Sequence, residues 1–154
     1  MATILPYTET YKDEVIHLIL QVYESELHFV GYERPDIYDV SGTYQKSDRS
    51  NFWIALENNE LVGTAAIFEK TTDIAYLKRM IVRKDYRKQG LGRELLDTAL
   101  SFAKENGYKT VYAGTVLENP NAIAFYKRNG FVEEQPAPID ITASGDSICL
   151  KKSL

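Results

Sequence analysis

Residues 74 to 96 constrain this chain more than any other stretch. Ile74-Ala-Tyr-Leu-Lys-Arg-Met-Ile-Val-Arg83 is an apolar-rich run of strand length, and Lys84-Asp-Tyr-Arg-Lys-Gln-Gly90 follows it directly. From there the pattern becomes helical, with Leu91, Leu95, Leu96, Ala99, Phe102 and Ala103 on one face until Asn106-Gly107 stops it, so a helix is expected over Gly90 to Glu105. Strand alternation sends Tyr76, Lys78, Met80 and Val82 to one side of the run and Leu77, Arg79 and Ile81 to the other. The turn between strand and helix suits an anion. Gly90 and Gly92 let main chain approach a ligand closely, and the first N–H groups of the helix have no intrahelical acceptor.

Charge supports a phosphate there. Residues 78 to 93 carry Lys78, Arg79, Arg83, Lys84, Arg87, Lys88 and Arg93 against Asp85, a local +6 in a chain of net charge −4 that leaves −10 for the remainder. A positive island in an acidic protein steers a small polyanion better than a long nucleic acid, and no basic run outside it argues for nucleic acid. There is no G-x-x-x-x-G-K-[ST], which excludes a P-loop, and Leu95 stands where a dinucleotide fingerprint needs its third glycine. On these residues alone, a basic loop ahead of a glycine helix start stays open as the plainer reading.

Two motifs decide between them. Arg87-Lys-Gln-Gly-Leu-Gly92, after a hydrophobic strand, resembles the R/Q-x-x-G-x-G/A acyl-CoA signature of the GNAT superfamily of acyl-CoA-dependent N-acyltransferases. Asn119-Pro-Asn-Ala-Ile-Ala-Phe-Tyr-Lys-Arg-Asn-Gly-Phe131, one helix and one strand downstream, resembles the family's N-x-x-A-x-x-x-Y-x-x-x-G-F pattern. Together they cover roughly the last half of the chain.

The resemblance implies a mixed α/β fold: a twisted, largely antiparallel sheet, splayed at its centre, flanked by helices, with the pantetheine arm of acetyl-CoA lying in the gap. It implies that Arg87, Lys88, Gln89, Gly90, Leu91, Gly92 and Arg93 meet the pyrophosphate. The main chain of Met80, Ile81 and Val82 would pair with the pantetheine amides, and one of those N–H groups would polarise the thioester carbonyl. Asn119 would cap its helix and reach the pantetheine. Tyr126 would be the general acid beside the thioester sulfur, a phenol that donates well at neutral pH. Its plainer role is packing, since Ala122, Phe125, Tyr126 and Asn129 share a helical face.

The rest of the chain fits one domain over residues 1–154 with an ordinary soluble composition, 44% hydrophobic and 26% charged. Ala2 to Tyr7 reads as a strand and Thr10 to about Tyr23 as a helix burying Val15, Leu18, Ile19 and Val22, with His17 on its surface. Residues 24 to 50 lose regular patterning but hold Glu26, His28, Phe29, Tyr32, Tyr38 and Tyr44, with a short helix expected near Pro35 to Val40. Asn51–Glu57 and Leu61–Phe68 form a hairpin through Asn58-Asn59. Lys109–Leu117 is a strand, Asn119-Pro120 starts a helix that Asn129-Gly130 ends, and Phe131–Glu134 and Asp146–Lys151 close the sheet, with Pro136-Ala-Pro138 and Ser144-Gly145 as loop between them. Cys149 is a buried packing residue without a disulfide partner. The first residues lack a charged and apolar leader and nothing reads as a membrane span, so the expectation is a cytoplasmic monomer or homodimer that needs no metal.

The general base is the gap in this reading. Some family members use a glutamate five residues before the asparagine, which here is Gly114, and many small members have an acidic residue just before Leu-Lys-Arg-Met, which here is Tyr76. Glu69, Glu26 and water held by Tyr76 or Tyr44 are the candidates that remain. The amine acceptor, a small molecule, amino acid or peptide, is expected to meet Glu26, Tyr44 and Tyr76, and the acidic remainder favours a cation. Two functional readings follow: an N-acetyltransferase, or a fold relative that binds acyl-CoA without turnover.

Overall fold

The computed structural model describes residues 1–28, 33–116, 119–134 and 147–154. The expected features at Phe29, Tyr32, Leu117, Pro136–Pro138, Ser144-Gly145 and Asp146 lie outside these. Seven strands form one sheet: β1 (Thr3–Pro6), β2 (Asn51–Glu57), β3 (Glu60–Glu69), β4 (Ile74–Val82), β5 (Thr110–Val116), β6 (Val132–Glu133) and β7 (Ser147–Ser153). Their order is β1-β2-β3-β4-β5-β7-β6, and every pairing is antiparallel except β4 with β5. The β2–β3 hairpin turns on Asn58 and Asn59, both left-handed at φ 54° and 63°, as a tight two-residue hairpin requires.

The first helix, α1 (Lys12–Leu20), runs straight into a π-helical turn, Gln21–Glu26, which widens the helix as it approaches the middle of the sheet. Two short helices follow, α2 (Pro35–Tyr38) and α3 (Val40–Tyr44), where one was expected. Val15, Leu18, Ile19, Ile37, Val40 and Tyr44 pack with Phe52, Ile54, Ala66 and Ile81 on one face of the sheet. On the other face lie α4 (Leu91–Glu105) and α5 (Pro120–Arg128), where Leu96, Ala99, Ala103 and Tyr126 meet Trp53, Ile67, Leu77, Val111 and Leu150. Both starts follow their local chemistry. Gly90 caps α4 at φ 88°, a conformation that residues with a Cβ rarely adopt, and Asn119 Oδ1 caps α5 by accepting from the Ala122 N–H at 3.3 Å.

Two irregularities lie at the centre of the sheet. Strands β4 and β5 pair only from Ile74↔Thr110 to Leu77↔Ala113; beyond that point they part. In the stretch where they have parted, β4 is bulged: Thr64 lies opposite Ile81 and Ala66 opposite Lys78, so Arg79 and Met80 together face Ala65. The bulge overturns the regular alternation expected for this strand. Arg79 takes φ 52°, and the extra residue reverses the facing beyond it, so Ile81 joins the core with Phe52 while Met80 and Val82 pack toward α4.

Candidate active site

The turn between β4 and α4 is an unfilled set of main-chain donors. Glu94 is the first amide of α4 with an intrahelical acceptor, Gly90 O at 3.1 Å, and among the described residues the amides from Lys88 to Arg93 have none. Lys88, itself left-handed at φ 64°, and Gln89 and Gly90 are exposed at the tip, with Gln89 anchored to Asp85 O. Leu91 is buried against Val62 and Leu95, whereas Arg93 points outward near Asp97. A methyl group at Gly92 would stand in van der Waals contact with the Phe125 ring at 3.4 Å and with Val82 at 3.7 Å, so a longer side chain here would reach into the space beside them.

Arg87 is differently employed than expected. Its Nε donates to Val82 O at 2.8 Å and its Nη1 to Glu26 Oε1 at 2.6 Å, tying the π-helical turn to the end of β4. Glu26 was expected on the acceptor side; it sits instead beside the β4–α4 turn as the counterion of Arg87. The π-helical widening carries it there, which no sequence spacing revealed.

The bulge is held from two directions, and the carboxylate on one of them is itself fixed. The Thr64 hydroxyl donates to Arg79 O at 2.7 Å, the Arg79 guanidinium makes two bonds to Asp36 at 2.8 and 2.7 Å, and the Tyr44 hydroxyl donates to Asp36 Oδ2 at 2.7 Å. Burial alone would raise Asp36, but the Arg79 guanidinium and the Tyr44 hydroxyl hold its carboxyl below the ordinary value. Burial, with Asp36 adding to it, pushes the Tyr44 phenol well up. Tyr44 was expected to face the acceptor, yet it is fully enclosed between Phe52 and Phe68 with its hydroxyl on Asp36. It acts on the site only through that carboxylate.

Tyr126 lies on α5, in the core between that helix and the sheet. Its ring is buried against Phe125 and Phe131. Burial, and then the nearby Tyr23 phenol, push its hydroxyl well above the ordinary value, which keeps it protonated. The Asn119 amide nitrogen, left over once Oδ1 caps the helix, has no partner among the described residues.

Glu69 does not come near. It pairs in register with Ala75, five residues before Met80 and therefore about 17 Å down the strand. Its carboxylate is bound by Arg49 Nε at 2.8 Å, and Arg49 also donates to Asn106 O and Thr72 O. This is a clamp joining β3 to the end of α4, and Glu69 is withdrawn as a base. Tyr76 lies buried with Tyr112 and Cys149 on the face opposite α4, under the Lys70 ammonium at 5.8 Å. Cys149 is a packing residue whose thiol burial pushes up to about 11.

Two residues that hold the bulge, Asp36 and Thr64, were not singled out from sequence, and Arg79 was counted there only as part of the basic stretch. The one available signal was Lys78-Arg79, two cations inside an otherwise apolar strand, because a charge in a buried strand requires a partner. That partner, Asp36, is 43 residues away in sequence and only the fold brings it in.

Residues 15–131 match the family model described as the acetyltransferase (GNAT) family. The chain belongs to that family. The "Probable N-acetyltransferase camello" of Xenopus laevis is 32% identical over 111 residues, covering 68% of this chain and 51% of that protein. The chain thus spans about half the length of the first curated relatives it matches. An acetyltransferase of the GNAT family from Staphylococcus aureus Mu50 superposes with a TM-score of 0.90 at 28% identity, over 100% of this chain and 99% of its own. The PaiA N-acetyltransferase of Thermoplasma acidophilum, solved in complex with coenzyme A, shares the fold, with a TM-score of 0.80 at 18% identity over 100% of this chain and 99% of its own. No helix among the described residues is long and apolar enough to cross a membrane, and no group of three or more His, Cys, Asp and Glu among them is placed to hold a metal.

Proposed function

We propose that the protein transfers an acetyl group from acetyl-CoA to a primary amine of a small molecule, amino acid or peptide. One feature carries this reading: β4 is bulged at Arg79–Met80 where it has left β5, and the turn that follows this strand presents the unpartnered amides of residues 88–93. The residues fit acetyl-CoA. The 88–93 amides, with Lys88 and Arg93, take the pyrophosphate; the main chain of Met80, Ile81 and Val82 and the Asn119 amide take the pantetheine; the Met80 N–H polarises the thioester carbonyl. The coenzyme A bound to PaiA supports the same cofactor here, and the N-acetyltransferase names among the relatives support an amine acceptor.

The acceptor attacks as the free amine, forming the C–N bond as the C–S bond breaks. Sulfur takes the Tyr126 proton, the surplus proton of the amine leaves to solvent, and Tyr126 is reprotonated from solvent. Glu26 and Glu69 are ion-paired, which leaves no assigned carboxylate base and favours an acceptor that loses its proton in solution. A thiol-release assay with acetyl-CoA against polyamines, amino acids, aminoglycosides and short peptides tests the reading. Acceptor-dependent CoA release with one N-acetyl product per thiol is expected. CoA binding without release on any amine would replace it with an acyl-CoA-binding module.

A further inference from the structure

We propose that Asp36 is a positioning residue for acyl transfer, acting through Arg79 to hold the left-handed step of β4 and so aim the Met80 amide at the thioester. This deepens the transferase reading and rests on it. Arg79 is the one residue in a described strand with positive φ, 52°, and side chains with a Cβ resist that conformation. It persists because three hydrogen bonds from two other elements over-determine it. The Thr64 hydroxyl, wholly buried in β3, holds the Arg79 carbonyl at 2.7 Å, and Asp36 in α2 holds both sides of the guanidinium fork at 2.8 and 2.7 Å. Tyr44 in α3 fixes Asp36 in turn, at 2.7 Å.

Stability alone does not account for this arrangement. An ion pair whose side chains are only 15% and 11% exposed is matched or bettered energetically by well-packed apolar residues, but those do not dictate the direction of a backbone step. The bulge does need direction. It interrupts the ladder at the residue whose N–H would meet the thioester, and a main-chain donor there works only if it points to where negative charge develops. The Arg79 guanidinium also lies 5.4 Å over the Tyr23 ring. Asp36 is not itself the base, because both oxygens are engaged and its carboxyl is held in the ionised form.

The test compares wild type with Asp36→Asn, Asp36→Glu and Thr64→Val. Folding is followed by thermal melts, CoA affinity by calorimetry, and polarisation of the bound carbonyl by 13C NMR of carbonyl-labelled acetonyl-CoA, in which a ketone replaces the thioester. Asp36→Asn and Thr64→Val are expected to bind CoA within about threefold of wild type while kcat falls at least about tenfold with little change in the amine KM. The bound carbonyl resonance should move back toward its free position in both, and Asp36→Glu should recover part of each loss. A normal wild-type carbonyl shift with an unchanged shift and kcat in folded Thr64→Val and Asp36→Asn overturns the proposal. If Asp36→Asn does not fold, Thr64→Val decides alone. A wild-type protein that fails to bind the analogue overturns the transferase reading itself, and this proposal with it.

Discussion

Tyr126 can donate a proton only while it holds one, and its surroundings ensure that. Burial raises the phenol above its ordinary value near 10, so the acid form persists to higher pH than that of a free tyrosine and is lost only as pH rises through the raised value. The acceptor behaves oppositely, gaining its reactive free-amine form as pH rises. We therefore expect kcat/KM to climb from pH 6 to the acceptor's own pKa and to show no Tyr126-linked fall below about pH 10. Tyr126→Phe keeps the ring against Phe125 and Phe131 and removes only the proton, so kcat should drop about 10- to 100-fold with CoA affinity unchanged. Equal rates in the two proteins would leave Tyr126 as packing.

Elements meet at two ion pairs with different expected consequences. Glu26, on the π-helical turn, places a carboxylate 2.6 Å from an arginine at the edge of the β4–α4 turn, where it would lower the positive potential that coenzyme A is expected to meet. Glu26→Gln should tighten CoA binding by about threefold at low salt, with the gain shrinking as salt screens it, measured by titration at two ionic strengths. Unchanged affinity would mean that Arg87 serves only to tie the helix to Val82. The Glu69–Arg49 pair lies about 17 Å from the bulge, so Glu69→Gln should leave kcat within about twofold while lowering the melting temperature. A large loss of turnover without loss of stability would restore it as a catalytic group.

At the scale of the whole molecule, the parting of β4 from β5 leaves a seam that the cofactor is expected to bridge between the two halves of the sheet. A ligand that binds only the folded chain stabilises it by about 2.7 kcal/mol at 100 times its Kd, which for a chain of 154 residues is about 5–10 °C in melting temperature. Acetyl-CoA should produce such a shift, and Gly92→Val, which fills the space beside Phe125 and Val82, should remove most of it. No shift at millimolar acetyl-CoA would sink the cofactor assignment.

Local chemistry determined much of this protein. The Asn58-Asn59 hairpin, the Asn119 cap, the Gly90 start of α4 and its apolar stripe all depend on neighbours within a turn or two, so their physics is written in consecutive residues. The expected mixed sheet and its family were legible because the two glycine- and asparagine-led motifs are local as well. What the tertiary structure alone decided is where charges find partners. Glu26 goes to Arg87, Asp36 to Arg79 and Glu69 to Arg49 across separations of 61, 43 and 20 residues, and no spacing rule links such positions. The bulge belongs to the same class. One extra residue in β4 reverses every side chain after it, and it is set by the register against β3 and by a clamp from α2, not by any preference of Arg79 itself.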